Sequence, residues 1–138
     1  MTSLIDAGLL IACVNRGDRQ HLWSADTVRA EPGPLLTTEA VLTEAMYVAG
    51  ARLGRLAQEA LWRVVKRGDL AVWRPELSDL QRMAQLMERY RNRPMDFADA
   101  SLVACAERVR VRRIIMLDRA DFSVYRLSGD RTFDVVAP

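Results

Sequence analysis

Short apolar runs alternate with longer stretches of helical periodicity along the whole chain. The apolar runs have the length of buried strands and lie at residues 2–6, 35–37, 70–73, 113–117 and 132–136. Between them, apolar residues recur every three or four positions, which predicts helices over residues 7–15, 21–30, 38–53, 55–67, 77–90 and 97–108. Strands that alternate with helices predict an α/β domain with a mainly parallel central sheet flanked by helices.

Length and composition favour one domain that spans residues 1–138. The longest apolar runs are too short to cross a bilayer, so we expect no membrane-spanning segment. No basic residue precedes the first apolar run, and Asp6 interrupts it, which argues against a signal peptide. Cys13 and Cys105 lie in apolar segments and are expected to be buried free thiols, so the expected compartment is the cytoplasm.

The basic residues and the single histidine limit the chemistry that the chain can perform. His21 is the only histidine, which argues against a histidine-based metal site and against a serine or cysteine triad. Lys66 is the only lysine among 20 basic residues, and the others are arginines, which suit bidentate contact with phosphate. The formal net charge of +2 is small and adds no further constraint.

Four acidic residues interrupt apolar segments or follow them directly. Asp6 closes the first predicted strand, and Asp118 closes the run at residues 113–117. Glu44 and Asp99 lie inside mostly apolar stretches that are predicted to be helices. Isolated carboxylates near a core are costly unless a cation or hydrogen-bond donors meet them. Because sites in parallel sheets form at the carboxyl ends of the strands, the four acids predict one shared cation site.

Each acid also has an ordinary structural explanation when it is taken alone. Asp6 could cap the helix that follows it, and Asp118 could be a turn residue, as we expect for Asp121. Asp96 and Asp99 resemble a capping box, and a cap is the favoured role for Asp96. The apolar neighbours of Glu44 make that acid the hardest to explain in this way. Taken together, oxygen ligands without histidine favour Mg²⁺ or Mn²⁺ over zinc.

The acids stand in longer segments with a recognisable pattern. These are Asp6 after the first strand, TTEAVLTE at 37–44, DFADAS at 96–101, DASLVACAER at 99–108 and LDRADFSV at 117–124. Together they resemble the PIN domain, and most closely the VapC-type toxins of bacterial toxin–antitoxin pairs. The resemblance covers nearly the whole chain in order and in size. The resemblance implies a Rossmann-like α/β/α sandwich with the activity of a metal-dependent endoribonuclease.

The resemblance also implies roles for individual residues. Asp6, Glu44, Asp99 and Asp118 would be the catalytic acids, with Asp6, Asp99 and Asp118 as ligands of Mg²⁺ or Mn²⁺ and Asp96 as an accessory acid. The candidate phosphate contacts flank the two acidic segments and are Arg91, Arg93 and Arg119. The expected partners are an RNA substrate, a second copy of the chain in a homodimer, and a cognate antitoxin whose tail enters the active-site groove.

Two departures from the family pattern leave a second interpretation open. Ala7 stands where the family often has a hydroxyl residue after the first acid, and Met116 stands where it often has threonine. A catalytically weak PIN-like module that binds RNA or protein is therefore the alternative. An aspartyl-phosphate hydrolase is disfavoured, because it needs a second acid at Gly8 and a lysine placed better than Lys66. The RNA target, the number of metal ions and the antitoxin stay open.

Overall fold

The computed structural model describes residues 1–138 and contains seven strands and six helices. The strands are β1 (Ser3–Ile5), β2 (Leu35–Thr38), β3 (Leu70–Trp73), β4 (Arg113–Ile115), β5 (Arg126–Leu127), β6 (Arg131–Thr132) and β7 (Asp134–Val136). The helices are α1 (Ala7–Val14), α2 (His21–Ala30), α3 (Glu39–Arg52), α4 (Arg55–Lys66), α5 (Leu77–Arg89) and α6 (Phe97–Val109). The predicted α/β class is therefore confirmed.

Five strands form one parallel sheet in the order β3-β2-β1-β4-β7, and β5 and β6 form a separate antiparallel hairpin. The chain runs outward from β1 through β2 to β3, and then returns to place β4 on the other side of β1. The direction of winding thus reverses between β1 and β4. In open α/β sheets, ligands bind at such a switch point, beyond the carboxyl ends of the strands.

The core packs around the two central strands. Leu4 and Ile5 of β1 and Ile114 and Ile115 of β4 have at most 1% of their surface exposed. Residues 100–106 of α6 are all buried, because this helix consists of small and apolar residues on every face over two turns. A helix that is buried all round cannot rotate without opening cavities, so α6 holds its N-terminus firmly against the sheet.

Side-chain caps begin three helices, and the sequence analysis named two of them, at Asp6 and Asp96. Asp6 accepts a hydrogen bond from the Leu9 amide at the start of α1. Thr38 accepts one from the Val41 amide at the start of α3. Asp96 and Asp99, the third residue of α6, form a capping box. Each cap satisfies amides that the helix itself leaves unpaired.

The last part of the chain differs from its prediction. The run at 113–117 ends as a strand at Ile115, although the Met116 amide still donates to the Val136 carbonyl. The single strand predicted over 132–136 is wrong, because Phe133 separates β6 from β7. The Phe133 side chain is buried against Phe122, with ring centroids 5.1 Å apart, and this packing turns the chain between the two strands.

Two further observations concern the cysteines and the helices. Cys105 is buried, Cys13 is partly buried, and neither forms a disulfide. Burial raises the pKa of Cys13 to about 11 and that of Cys105 to about 12, so both stay protonated at neutral pH. None of the helices combines the length and the apolar character that are needed to cross a membrane.

Candidate active site

Asp6 lies at the switch point, directly after β1. Its Oδ1 accepts from the Leu9 amide at 3.0 Å, whereas its Oδ2 has no hydrogen-bond partner. A Cβ placed on Gly8 would lie 3.8 Å from the Asp6 carboxylate and 4.0 Å from the side chain of Leu117. The segment that follows β4 therefore approaches Asp6, as the sheet order requires.

Glu44, Asp96 and Asp99 approach the same edge from two helices. Glu44 lies in α3, whose N-terminus follows β2, and its carboxylate makes no hydrogen bond in the protein. Asp96 accepts from the Asp99 amide at 2.8 Å, and Asp99 accepts from the Asp96 amide at 3.4 Å. The second of these bonds is long, so the Asp99 carboxylate is held only weakly.

Asp118 and Asp121 lie in the turn after β4. Asp118 is exposed, and its side chain accepts from the Ala120 amide at 2.9 Å. Asp121 is half-buried, and its charge contributes to raising the pKa of Asp99. The charge of Asp118 is not among those that raise the pKa of Asp6, Glu44 or Asp99. We expected Asp121 to be only a turn residue. It nevertheless lies close enough to Asp99 for its charge to affect the pKa of that residue.

Burial and mutual repulsion raise the pKa values of the acids at this edge. Burial raises the pKa of Asp6 from 3.8 to about 6, and the charge of Glu44 adds to this effect. Burial raises the pKa of Asp99 to about 7, with contributions from the charges of Asp96, Asp121 and Glu44. Burial and the charge of Asp96 also raise the pKa of Glu44. We call the five residues Asp6, Glu44, Asp96, Asp99 and Asp121 the acidic cluster.

No basic side chain neutralises the acidic cluster. The nine ion pairs of the protein all lie elsewhere, and none includes a residue of the cluster. Raised carboxylate pKa values without a basic partner are typical of sites that bind a cation or transfer protons. The carboxylate oxygens are the ligand type that Mg²⁺ and Mn²⁺ prefer. The chemistry of these oxygen ligands therefore suits a hard divalent cation.

The acids surround the site without converging on one point. No three acidic, cysteine or histidine side chains stand close enough together to hold a metal ion as they are oriented here. The acids that act on one another here include Asp6, Glu44 and Asp99, which were expected to share this edge, and Asp121, which was not. The distances between their oxygens depend on side-chain orientations that the sequence does not specify.

The three candidate phosphate contacts differ in whether their guanidinium groups already pair with other protein groups. Arg91 donates to the carbonyl oxygen of Glu88 at 3.1 Å and pairs with its carboxylate at 3.4 Å. The side chains of Arg93 and Arg119 are exposed and make no ion pair. The charge of Arg93 acts on the hydroxyl of Tyr125, which places this guanidinium near the acidic cluster. Of the three candidates, Arg93 and Arg119 are thus the two whose guanidinium groups form no ion pair in the protein.

Two buried hydroxyls connect the helices that carry the acids, and the sequence analysis overlooked them. Thr38 at the start of α3 and Ser101 in α6 share a hydrogen bond of 2.7 Å. Both side chains are fully buried, and Ser101 also donates to the Ala98 carbonyl. The only sequence signal was the cap position of Thr38. This connection holds the N-termini of the two helices together, and with them Glu44 and Asp99.

Replacing Thr38 with valine should lower the free energy of unfolding by about 1–3 kcal/mol, because the change removes a helix cap and leaves Ser101 with one partner fewer. Chemical denaturation measures the effect. Thr43→Val is the matched control, since Thr43 donates only to the Glu39 carbonyl on the exposed side of α3. Equal losses in the two variants would contradict the role of the Thr38–Ser101 bond.

A family model described as the PIN domain matches residues 3–127 of the chain. The chain belongs to the PIN domain family. The predicted family is therefore confirmed over most of the sequence, and the parallel sheet with its acidic edge is the PIN fold of this protein. Asp6, Glu44, Asp99 and Asp118 all lie within the part that matches.

Several known proteins resemble the chain over most of its length. Ribonuclease VapC26 of Mycobacterium tuberculosis is 26% identical over 133 residues, which are 96% of this chain and 98% of the relative. The crystal structure of M. tuberculosis VapC20, a sarcin-ricin loop cleaving toxin, superimposes with a TM-score of 0.79 at 18% identity and covers 86% of this chain and 91% of that one. A toxin–antitoxin complex from Klebsiella pneumoniae gives a TM-score of 0.67 at 21% identity, with 99% and 97% covered.

Proposed function

We propose that this PIN protein is a divalent-metal-dependent endoribonuclease and the toxin of a toxin–antitoxin pair. The observation that carries the proposal is the acidic cluster, which lies at the switch point of the sheet and has no basic partner. Membership of the PIN family supports it, and so does the similarity to a ribonuclease of the VapC type. The oxygen-only set of side chains agrees with Mg²⁺ or Mn²⁺ as the cofactor.

In this proposal Asp6, Asp99 and Asp118 would hold the metal ion. Asp6 and Asp99 each have one oxygen without a hydrogen-bond partner. A bound divalent ion would supply positive charge that offsets the charge developing on the phosphoryl group, and it would lower the pKa of a bound water. Asp121 is a further oxygen donor at this edge, because its charge acts on Asp99.

The remaining side chains would handle the proton and the substrate. Glu44 is exposed and its carboxylate makes no hydrogen bond in the protein, so it could orient the attacking water or accept its proton. Asp96 acts as the accessory acid by holding the first turn of α6. Arg93 and Arg119 would contact phosphates of the RNA, and Arg91 can join them only after it releases Glu88.

The test of this function is RNA cleavage with and without the cation. The protein should cleave single-stranded or loop RNA in millimolar Mg²⁺ or Mn²⁺ and lose this activity in excess EDTA. Asp6→Asn should keep the fold, because asparagine caps helices as well as aspartate does. It should nevertheless lose cleavage. Binding of RNA without cleavage in either metal would contradict the nuclease and support the alternative of a binding module.

Two adjoining grooves are the proposed docking site of the antitoxin. One groove of about 600 Å³ lies between α3 and α4 and is lined by Leu42, Met46, Tyr47 and Trp62. The other, of about 650 Å³, shares the Tyr47 wall and reaches Phe97 and two residues of the acidic cluster, Glu44 and Asp96. A partner segment could place apolar side chains in the first groove and a basic side chain beside the acids of the second groove.

Trp62→Ala should weaken antitoxin binding about 30-fold, since exposed aromatic side chains in a groove provide much of the free energy of binding. The side chain of Trp62 is 48% exposed in the groove. Calorimetry with the product of a small neighbouring reading frame, if one encodes a DNA-binding protein, measures the affinity. Leu77→Ala on α5 is the control, because Leu77 is 70% exposed and lies outside both grooves. An unchanged affinity in Trp62→Ala would contradict this docking site.

The resemblance also implies a homodimer, which we retain as part of the proposal. Light scattering after size exclusion measures the mass of the particle in solution. A mass of about twice the 15.6 kDa of one chain is the expected result.

A further inference from the structure

The hydroxyl of Tyr125 is buried without any hydrogen-bond partner. Only two buried side-chain polar atoms in the protein lack a partner, namely Tyr125 Oη and Ser24 Oγ. Buried polar groups in folded proteins are nearly always paired, because an unpaired one loses its contact with water and gains nothing in return. Tyr125 is fully buried, so solvent does not satisfy its hydroxyl. An orphan of this kind requires an explanation.

Packing on two sides keeps the Tyr125 ring in place. The rings of Tyr90 and Phe122 meet it edge to face, with centroids 4.9 and 5.1 Å away. The Tyr125 amide donates to the Asp121 carbonyl at 3.0 Å, which ties its backbone to the turn after β4. The ring therefore cannot swing out to find a partner in solvent. Any partner must come to the hydroxyl.

The polar groups around this hydroxyl belong to the acidic cluster. Burial raises the pKa of Tyr125, and the charges of Asp99, Asp121 and Asp96 raise it further. The charge of Arg93 acts in the opposite direction. No carboxylate oxygen lies within hydrogen-bond distance of the hydroxyl, since the atom has no partner. Tyr125 keeps its proton at neutral pH, so it can serve a carboxylate only as a donor.

Asp99 is the carboxylate that matches this donor. Its charge has the largest effect among the acids around Tyr125. Its only hydrogen bond to a donor is the 3.4 Å contact with the Asp96 amide, and its second oxygen is free. A ligand carboxylate needs a second partner to fix its orientation on a metal ion. Asp99 lacks a good one, and Tyr125 offers the donor that is missing.

We propose that Tyr125 is a positioning residue whose hydroxyl donates to the Asp99 carboxylate when the acidic cluster takes up a divalent cation. The proposal rests on the function proposed above. In the metal-free protein the hydroxyl stays unpaired, and in the metal-bound protein the bond orients Asp99 as a ligand. Tyr125 would thus act on the cation through Asp99 without touching the cation or the RNA.

The test compares two tyrosines of the same aromatic group. Tyr125→Phe removes the orphan hydroxyl and keeps the ring. Tyr90→Phe is the matched control, because the Tyr90 hydroxyl accepts from the Arg126 amide at 2.9 Å and so has a structural role. Two quantities are measured for the wild type and both variants. They are the Tm of the metal-free protein and the Kd of Mn²⁺ from calorimetry.

The two variants should respond in opposite ways. Tyr125→Phe should keep the metal-free Tm or raise it by about 3 °C, because the buried orphan is gone. It should weaken Mn²⁺ binding about 10- to 100-fold, the usual effect of losing a partner of a metal ligand. Tyr90→Phe should lower the metal-free Tm and leave the Kd of Mn²⁺ unchanged.

Each other result overturns a defined part of the account. A Tyr125→Phe protein with a lower metal-free Tm and the wild-type Kd would show that the hydroxyl is structural, and would overturn the proposal for Tyr125 alone. Equal loss of Mn²⁺ affinity in both variants would overturn it too, because general loosening of the aromatic group would then explain the result. A wild-type protein that does not bind Mn²⁺ would overturn the metal site itself.

Discussion

Asp99→Asn will lower the rate of RNA cleavage by about 1,000-fold, because it removes a ligand of the cation that would offset the charge on the reacting phosphate, and losing one oxyanion donor already costs about 100- to 1,000-fold. Asp99 is the acid on which the charges of Asp96, Asp121 and Glu44 all act, so it is the most connected member of the acidic cluster. The cleavage rate is measured on a labelled RNA in millimolar Mn²⁺ with wild type and variant side by side.

Two measurements distinguish the loss of a catalytic acid from a loss of the fold. The Tm of metal-free Asp99→Asn should be equal to or higher than that of the wild type, since the change removes a repelling charge. Asp18→Asn is the control for charge, because Asp18 also accepts a local backbone bond and forms no ion pair, but lies before α2. It should cleave RNA at the wild-type rate. Cleavage by Asp99→Asn within about tenfold of the wild type would contradict the role of this acid.

The metal-free protein should lose stability as the pH rises from about 4 to about 7. The pKa of Asp6 is raised from 3.8 to about 6 and that of Asp99 to about 7 in the folded state. A folded state with raised carboxylate pKa values binds more protons than the unfolded state between those limits, so its stability falls as pH rises through that window. The loss is complete about one pH unit above the higher of these two pKa values, and the curve flattens there.

The size of this loss follows from the same values. Because each pKa unit corresponds to about 1.4 kcal/mol, the raised pKa of Asp6 amounts to about 3 kcal/mol. Asp99 adds less than its pKa suggests, because part of its carboxylate is open to solvent screening. Free energies of unfolding from urea titrations at pH 4, 5.5, 7 and 8 in EDTA measure the curve for the wild type and for Asp6→Asn.

The difference in unfolding free energy between the wild type and Asp6→Asn isolates the contribution of Asp6. All other titrating groups contribute equally to both proteins and cancel. Asp6→Asn should be more stable than the wild type at pH 7 and lose that advantage near pH 4. Millimolar Mn²⁺ at pH 7.5 should raise the Tm of the wild type, since only the folded state presents the site. A difference that does not change with pH would contradict the burial and repulsion assigned to Asp6.

The sheet and the helices could be predicted because their signals are local. Apolar runs, helical periodicity and the caps at Asp6, Thr38 and Asp96 agree with one another along the chain, and the structure places elements close to the predicted ranges. The hairpin of β5 and β6 was missed because its strands are two residues long, too short for any periodicity. The turn of this hairpin does have a sequence signal, namely the dipeptide Gly129-Asp130. Both residues adopt positive φ in the structure, as such dipeptides do in hairpin turns.

The candidate site could be predicted only in part, since some of its residues owe their position to tertiary packing. Asp6 and Asp99 follow from the element ends at which they lie. Asp121 looked like a turn residue because its approach to Asp99 depends on how the turn after β4 folds back on α6. Tyr125 carried no signal, because its environment is set by Tyr90 on α5 and by Phe122. Hydroxyls and aromatic rings that pack across elements leave no pattern along the chain.

The central claim is that the acidic edge binds a divalent cation, and anomalous diffraction from crystals grown with Mn²⁺ tests it most directly. We expect a manganese peak at the switch point, within about 2.0–2.3 Å of oxygens of Asp6 and Asp99. The same map distinguishes Asp118 from Asp121 as the further ligand. Crystals that bind manganese only elsewhere, or not at all at saturating concentration, would contradict the claim.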